Sequence, residues 1–136
     1  MEILPALVLL LAIWPGISEK SEQELCNSPV TSDIEACLTL ELERADSSLS
    51  EYLKEARKTC AEDAEDMAAL EAAQKAWAQY VEADCKAAHQ HWIQGTIRGA
   101  AYLSCKVIHT KSRTCDLWGT YLQNMATELP FPATCK

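Results

Sequence analysis

A chain of 136 residues with 12 basic against 20 acidic side chains, a formal net charge of −8, has room for one hydrophobic core and lacks the basic footprint that nucleic acid requires. Its seven cysteines point to a compartment where thiols are oxidised rather than to the reducing cytosol. Four glycines, a single phenylalanine and abundant Ala, Leu, Glu and Lys favour helix, and no stretch alternates with the period of a strand.

The chain opens on an apolar run from Ile3 to Trp14, shorter than the roughly 20 residues that span a bilayer and suited to the core of an export signal. Pro15-Gly16 breaks it. Gly16 and Ser18 then offer the small residues of a cleavage site, so residues 1–18 are read as a signal peptide and 19–136 as one domain. The segment before the run, Met1-Glu2, carries no basic residue. Cys26 follows Gln23-Glu24-Leu25, which is not a lipid-attachment context, so the expected product is periplasmic or secreted, with no membrane anchor after cleavage.

After Pro29, Ser32-Asp33-Ile34-Glu35 reads as a capping box. Ile34, Leu38, Ala45, Leu49, Tyr52, Leu53, Ala56 and Cys60 follow on one apolar face, predicting a helix over residues 33–60. The acidic run Glu62-Asp63-Ala64-Glu65-Asp66 suits the first turn of a second helix, where carboxylates meet exposed N–H groups. Its stripe is Met67, Leu70, Gln74, Trp77, Val81, Cys85, Ala88 and Trp92, with Gln74 the polar exception. Gly95-Thr96 interrupts the pattern, and a third helix is predicted from Ile97 to Ala126, ended by Pro130 and Pro132. Short connections near residues 61 and 95 make neighbouring helices antiparallel. The fold class is therefore all-α: an elongated antiparallel bundle of about three long helices with a thin core that disulfides must supplement.

Charge is unevenly placed, with 17 acidic and 6 basic residues from residue 19 to 85 and 2 acidic and 6 basic from 86 to 136. An acidic half favours a cationic partner through steering, and equally serves solubility.

A hairpin at Gly95 brings Cys85 level with Cys105, which predicts that bridge. The lead-in can fold back to join Cys26 to Cys37, although a turn near residue 61 also brings Cys37 level with Cys85. Cys60, Cys115 and Cys135 then supply one bridge and one odd thiol, and Cys60–Cys135 suits the expected path slightly better. There is no C-x-x-C spacing, so a disulfide framework is expected in place of a metal site, with no cofactor.

The segment from Leu70 to Cys85 holds Leu70-x-x-Ala73-Gln74-x-x-Trp77-x-x-Tyr80-x-x-x-x-Cys85. This resembles the signature of the LprI-type lysozyme inhibitor N-terminal domain family. Cys26 and Cys37, Ala45-Asp46 and Leu49-x-x-Tyr52 upstream, and Gly95, Cys105 and Thr110-x-x-Arg113-Thr114-x-x-Leu117 downstream, extend the resemblance over about residues 26–122. Departures are Val81 where the family has Arg, a connection reduced to Gly95-Thr96, and three cysteines beyond the family's four. The resemblance implies a protein that binds and inhibits lysozyme, a cationic enzyme.

Each of these residues also has a structural reading. Trp77 lies on the apolar stripe and is expected in the core. Gln74 needs a partner, from a neighbouring backbone or Arg113, and Arg113 is expected to be paired. Tyr52 and Tyr80 are expected to present hydroxyls at the surface. No catalytic constellation is visible: His89 and His91 diverge on a helix, His109 stands alone, and no nucleophile elbow or phosphate loop is present. The reading is a non-enzyme. Candidate contacts with a partner are His91, Trp92, Gln94 and Thr96 around the Gly95 turn, or Glu62, Asp63, Glu65 and Asp66. The alternative function is a periplasmic structural or adaptor module with a non-lysozyme protein partner. The oligomeric state is open, since an odd cysteine suits an intermolecular bridge.

Overall fold

The computed structural model describes residues 19–136; the expected leader, residues 1–18, lies outside them. The described chain is all-α, with no strand among the described residues. Its elements are α1 (Glu22–Cys26), α2 (Thr31–Thr59), α3 (Ala64–His91), α4 (Arg98–Leu117) and a π-helical turn (Trp118–Leu122). At 1.5 Å per residue the 29 residues of α2 and 28 of α3 extend about 44 and 42 Å.

The three long helices run up, down and up. Arg57 of α2 pairs with Glu71 of α3 across the first turn, and Glu82 of α3 meets Tyr102 of α4 across the second. Along α2 and α4, Glu35 lies beside Gly99, Glu41 beside Lys111 and Tyr52 beside Trp118, so these two helices are parallel. Both α2 and α3 pack chiefly on α4. At one end the Glu35 carboxylate of α2 lies over Gly99 of α4, in the space that a Cβ would take.

The apolar core gathers at the end of the bundle where α2 turns into α3. Leu49, Tyr52, Leu53, Ala56 and Cys60 of α2 meet Leu70 of α3, Leu117 of α4 and Leu122 of the π-helical turn. Met67, Trp77, Trp118, Tyr121 and Leu129 pack around them. Burying such side chains contributes roughly 1.5–3 kcal/mol each for the larger ones, before the entropy of ordering is subtracted.

Three disulfides brace the remainder: Cys26–Cys37, Cys85–Cys105 and Cys115–Cys135. The expected Cys60–Cys135 bridge does not form. Cys60 ends the α2 stripe and is fully buried in the core, whereas the C-terminal tail returns along the seam of α2 and α4 and delivers Cys135 to Cys115. Tyr52 Oη donates to the Pro130 carbonyl at 2.5 Å, and Phe131 stacks edge-on against Trp118. Tyr52 is thus buried under the tail and does not present its hydroxyl at the surface. A groove of about 330 Å³, lined by Glu41, Arg44, Ser48, Lys111 and Thr134 among others, remains beside the tail.

Other expectations are corrected. The capping box lies at α1, where Ser21 Oγ accepts the Glu24 N–H and the Glu24 carboxylate accepts the Ser21 N–H. At α2 the Val30 backbone precedes the first turn, and Glu35 reaches across to Gly99 rather than back to Ser32. Asp33 instead anchors the lead-in: it is buried and accepts from Lys20 Nζ and Ser28 Oγ. The third helix stops at Leu117, widens into the π-helical turn and ends at Leu122, short of Ala126.

Candidate functional site

The signature residues on α3 divide between the interior and the surface. Gln74 and Arg113 meet: Arg113 Nε donates to Gln74 Oε1 at 3.0 Å. Trp77 is half-buried against the core. Tyr80 is 58% exposed, and its ring meets His109 edge-on at 5.4 Å. His109 does not stand alone, because Asp84 Oδ2 lies 2.8 Å from its Nε2.

The two candidate contact surfaces occupy opposite ends of α3. At the α2–α3 turn, Glu62, Asp63, Glu65 and Asp66 are all exposed. Asp63 caps α3, its Oδ1 accepting the N–H groups of Glu65 and Asp66, so the carboxylates are displayed from a fixed turn. Nearby Arg57 is held to Glu71, whose carboxyl lies below its ordinary range through that hydrogen bond. The α2–α3 end therefore presents uncompensated negative charge.

The α3–α4 turn is different in character. His91, Trp92, Gln94 and Thr96 are exposed, and the His91 and Trp92 rings stack edge-on at 5.3 Å. Trp92 is 47% and Ile97 41% exposed, and Ile93 lies between them in sequence. Gly95 N donates to the Trp92 carbonyl at 2.8 Å, and Arg98 Nη1 donates to the Gly95 carbonyl at 3.0 Å. These bonds close the turn without a left-handed residue, since no described glycine has a positive φ. The apolar tip thus sits among His89, His91 and Arg98, with the Cys85–Cys105 bridge bracing the hairpin behind it. Sequence periodicity placed Trp92 on the apolar stripe; the stripe outruns the packing partner, which leaves Trp92 uncovered. Ile93 and Ile97 belong to no apolar stripe, so helical periodicity does not mark them as part of the tip.

Behind the tip, Glu82 accepts from Tyr102 Oη at 3.0 Å and pairs with Lys86 and Lys106. Its carboxyl lies below the ordinary range, first through Tyr102 and then Lys86, and the Tyr102 phenol is pushed up, first by burial and then by Glu82. Among the described residues no helix is long and apolar enough to cross a membrane.

Comparison with curated proteins and with solved structures finds no match. The chain does match the family described as Lysozyme inhibitor LprI, over residues 25–117. That span starts one residue before the Cys26–Cys37 bridge and ends where α4 ends, so it takes in all four helices but the first three residues of α1, and leaves out the π-helical turn and the tail. With well over half of its length matched, the chain belongs to the LprI lysozyme inhibitor family.

Proposed function

We propose that this protein is an exported inhibitor that binds lysozyme and blocks its cleft with the α3–α4 turn. Family membership over residues 25–117 is the observation that carries the reading. The geometry supplies a mechanism consistent with it. Hydrolysis of a glycosidic bond uses two carboxyl groups that flank the scissile bond in a cleft. A projecting tip with a stacked Trp92–His91 pair, flanking isoleucines and Arg98 suits an acidic, sugar-binding groove: the rings take the place of sugar faces and Arg98 meets a carboxylate. Gln94 and Thr96 supply polar contacts at the same turn.

The acidic turn at the other end acts at longer range. It stands about 42 Å from the tip, the length of α3, too far to enter the same cleft. Cleavage after Ser18 removes Glu2 and leaves a net charge of −7, which draws a cationic enzyme inward and raises the rate of encounter. Glu62, Asp63, Glu65 and Asp66 therefore steer, and the tip docks.

Purified, oxidised protein added in excess to chicken-type and goose-type lysozymes provides the test, read as residual muramidase activity. Inhibition that weakens with added salt is expected, because screening removes the steering. Full activity in both enzymes would overturn the reading, and stable capture of a different envelope protein would then favour an adaptor role.

A further inference from the structure

The bridge between α3 and α4 has two neighbours that a disulfide does not require. His109 follows Cys105 by one helical turn, so both project from the same face of α4. A sulfur from each of Cys85 and Cys105 and a ring nitrogen of His109 all lie within 4.8 Å of one another. This is the one such group of three donors found among the described residues. Asp84 completes the arrangement: its Oδ2 is 2.8 Å from His109 Nε2 and 3.9 Å from Cys105 Sγ. The sequence hid this cluster because its donors come from two helices and no pair has C-x-x-C spacing.

Two sulfurs and one imidazole nitrogen are a zinc donor set of the kind that keeps a fourth position for water. A zinc-bound histidine almost always donates its other ring N–H to a carboxylate, which fixes the ring and its tautomer. Asp84 Oδ2 is within hydrogen-bond reach of Nε2, which leaves Nδ1 free for a metal, and the Tyr80 ring packs edge-on against the same imidazole. Cys85 is buried while Cys105 and His109 are half-buried, so the group is sheltered on one side and reachable on the other.

We propose that Cys85, Cys105 and His109 form a latent zinc site, with Asp84 positioning His109, that becomes available when a dithiol reductant opens the Cys85–Cys105 bridge. The dithiol delivers two electrons and two protons to the S–S bond and is itself oxidised to a disulfide, leaving two thiols. Zinc then displaces both thiol protons, so that two S–Zn bonds stand where one S–S bond stood. Asp84 Oδ2 accepts the N–H of Nε2, leaving Nδ1 as the metal donor. With Zn–S bonds of about 2.3 Å the sulfurs part to about 3.8 Å, and a Cα–Cα distance of 5.5 Å leaves room for this by side-chain rotation. The same point of contact between α3 and α4 is then held in both redox states, covalently when oxidised and by the metal when reduced.

The chain, reduced with a phosphine that is then removed under anaerobic conditions, is titrated with zinc and with cobalt. Reduced wild type is expected to bind one equivalent of zinc more than reduced C85S/C105S, which keeps the other five thiols, and the oxidised protein none. Cobalt should give thiolate charge-transfer bands and the strong visible bands of a four-coordinate site. C85S/C105S should lose that equivalent and the bands that belong to it. D84N should weaken zinc binding about 10–100-fold while retaining the two-thiolate bands, and H109A should weaken it further and shift the visible bands. Zinc uptake by reduced wild type no greater than by C85S/C105S would overturn the proposal, as would a cobalt spectrum unchanged by H109A. Should reduction unfold the chain, zinc must restore helical circular dichroism to wild type and not to C85S/C105S; failure to do so also overturns it.

Discussion

Arg113 Nε donates to Gln74 Oε1 at 3.0 Å and so ties the last part of α4 to α3, one helical turn from the core residues Leu117 and Leu70. The same guanidinium keeps Nη2 buried with no partner. An amide inside an apolar stripe is thereby given one specific mate, which favours one register of α3 against α4.

Replacing Gln74 by Leu leaves Arg113 without its acceptor, and a loss of about 1–3 kcal/mol is expected from an abandoned polar group. Arg113→Met leaves Gln74 without its donor but removes the charge and the unpartnered N–H with it, and should cost less than Q74L. Urea midpoints of the two single variants and of the double variant check the order. Q74L should be the worst of the three.

The tail supplies a second prediction. Tyr52→Phe deletes the hydroxyl that holds Pro130 and should cost about 1 kcal/mol. C115S/C135S opens a bridge with a sequence separation of 20, for which about 3 kcal/mol is expected. Limited proteolysis should then cut after residue 122 in the double variant before it cuts wild type, and Trp118 fluorescence should shift as Phe131 leaves it.

Asp33 makes the joint between the lead-in and α2 sensitive to acid. The Lys20 ammonium, and next the Ser28 hydroxyl, hold its carboxyl below the ordinary range. A carboxyl lowered on folding stabilises fully above its unfolded pKa of about 3.9, and the contribution disappears as pH falls through the folded value. The melting temperature of wild type should therefore exceed that of Asp33→Asn at pH 6, and the two should converge as pH falls below about 4.

Cys60 is expected to be silent. Burial, followed by Asp66, pushes its thiol above the ordinary value, and the residue has no exposed surface. A disulfide reagent should label no thiol in the native oxidised protein and one after denaturation. Non-reducing electrophoresis should show no Cys60-linked dimer, which removes the intermolecular bridge that an odd cysteine suggested. Cys60→Ala should cost on the order of 1 kcal/mol, through lost packing.

On the inhibitor reading, Trp92→Ala should weaken lysozyme inhibition at least tenfold, in line with about 2 kcal/mol for an aromatic anchor. The melting temperature should change little, since the indole is 47% exposed and belongs to no core cluster. Loss of inhibition with an unchanged fold separates a docking residue from a packing one.

The long helices were legible because each carries an apolar stripe at helical spacing over at least five turns. Leu49, Tyr52, Leu53 and Ala56 on α2 and Leu70 and Val81 on α3 all proved buried. Helix α1 was missed because five residues are too few to show a period, although Ser21 and Glu24 carry the spacing of a capping box. The bridge partner of Cys135 depended on the route of a tail with no periodicity, which is settled by Tyr52 and Trp118 and not by any local pattern. The exposed tip was half legible: Trp92 and His91 were visible as residues flanking a turn, but their exposure follows from where α4 ends its cover.

The central place of α4 bears on the order in which the molecule can assemble. Its Leu117, and Leu122 just beyond, complete a core that α2 and α3 alone leave open, and both of those helices pack chiefly on it. A chain that has emerged only as far as residue 97 has two amphipathic helices that meet near the α2–α3 turn and lack the helix on which both chiefly pack. Stable structure thus awaits the last third of the polypeptide, and the bundle closes as one unit once α4 has been made.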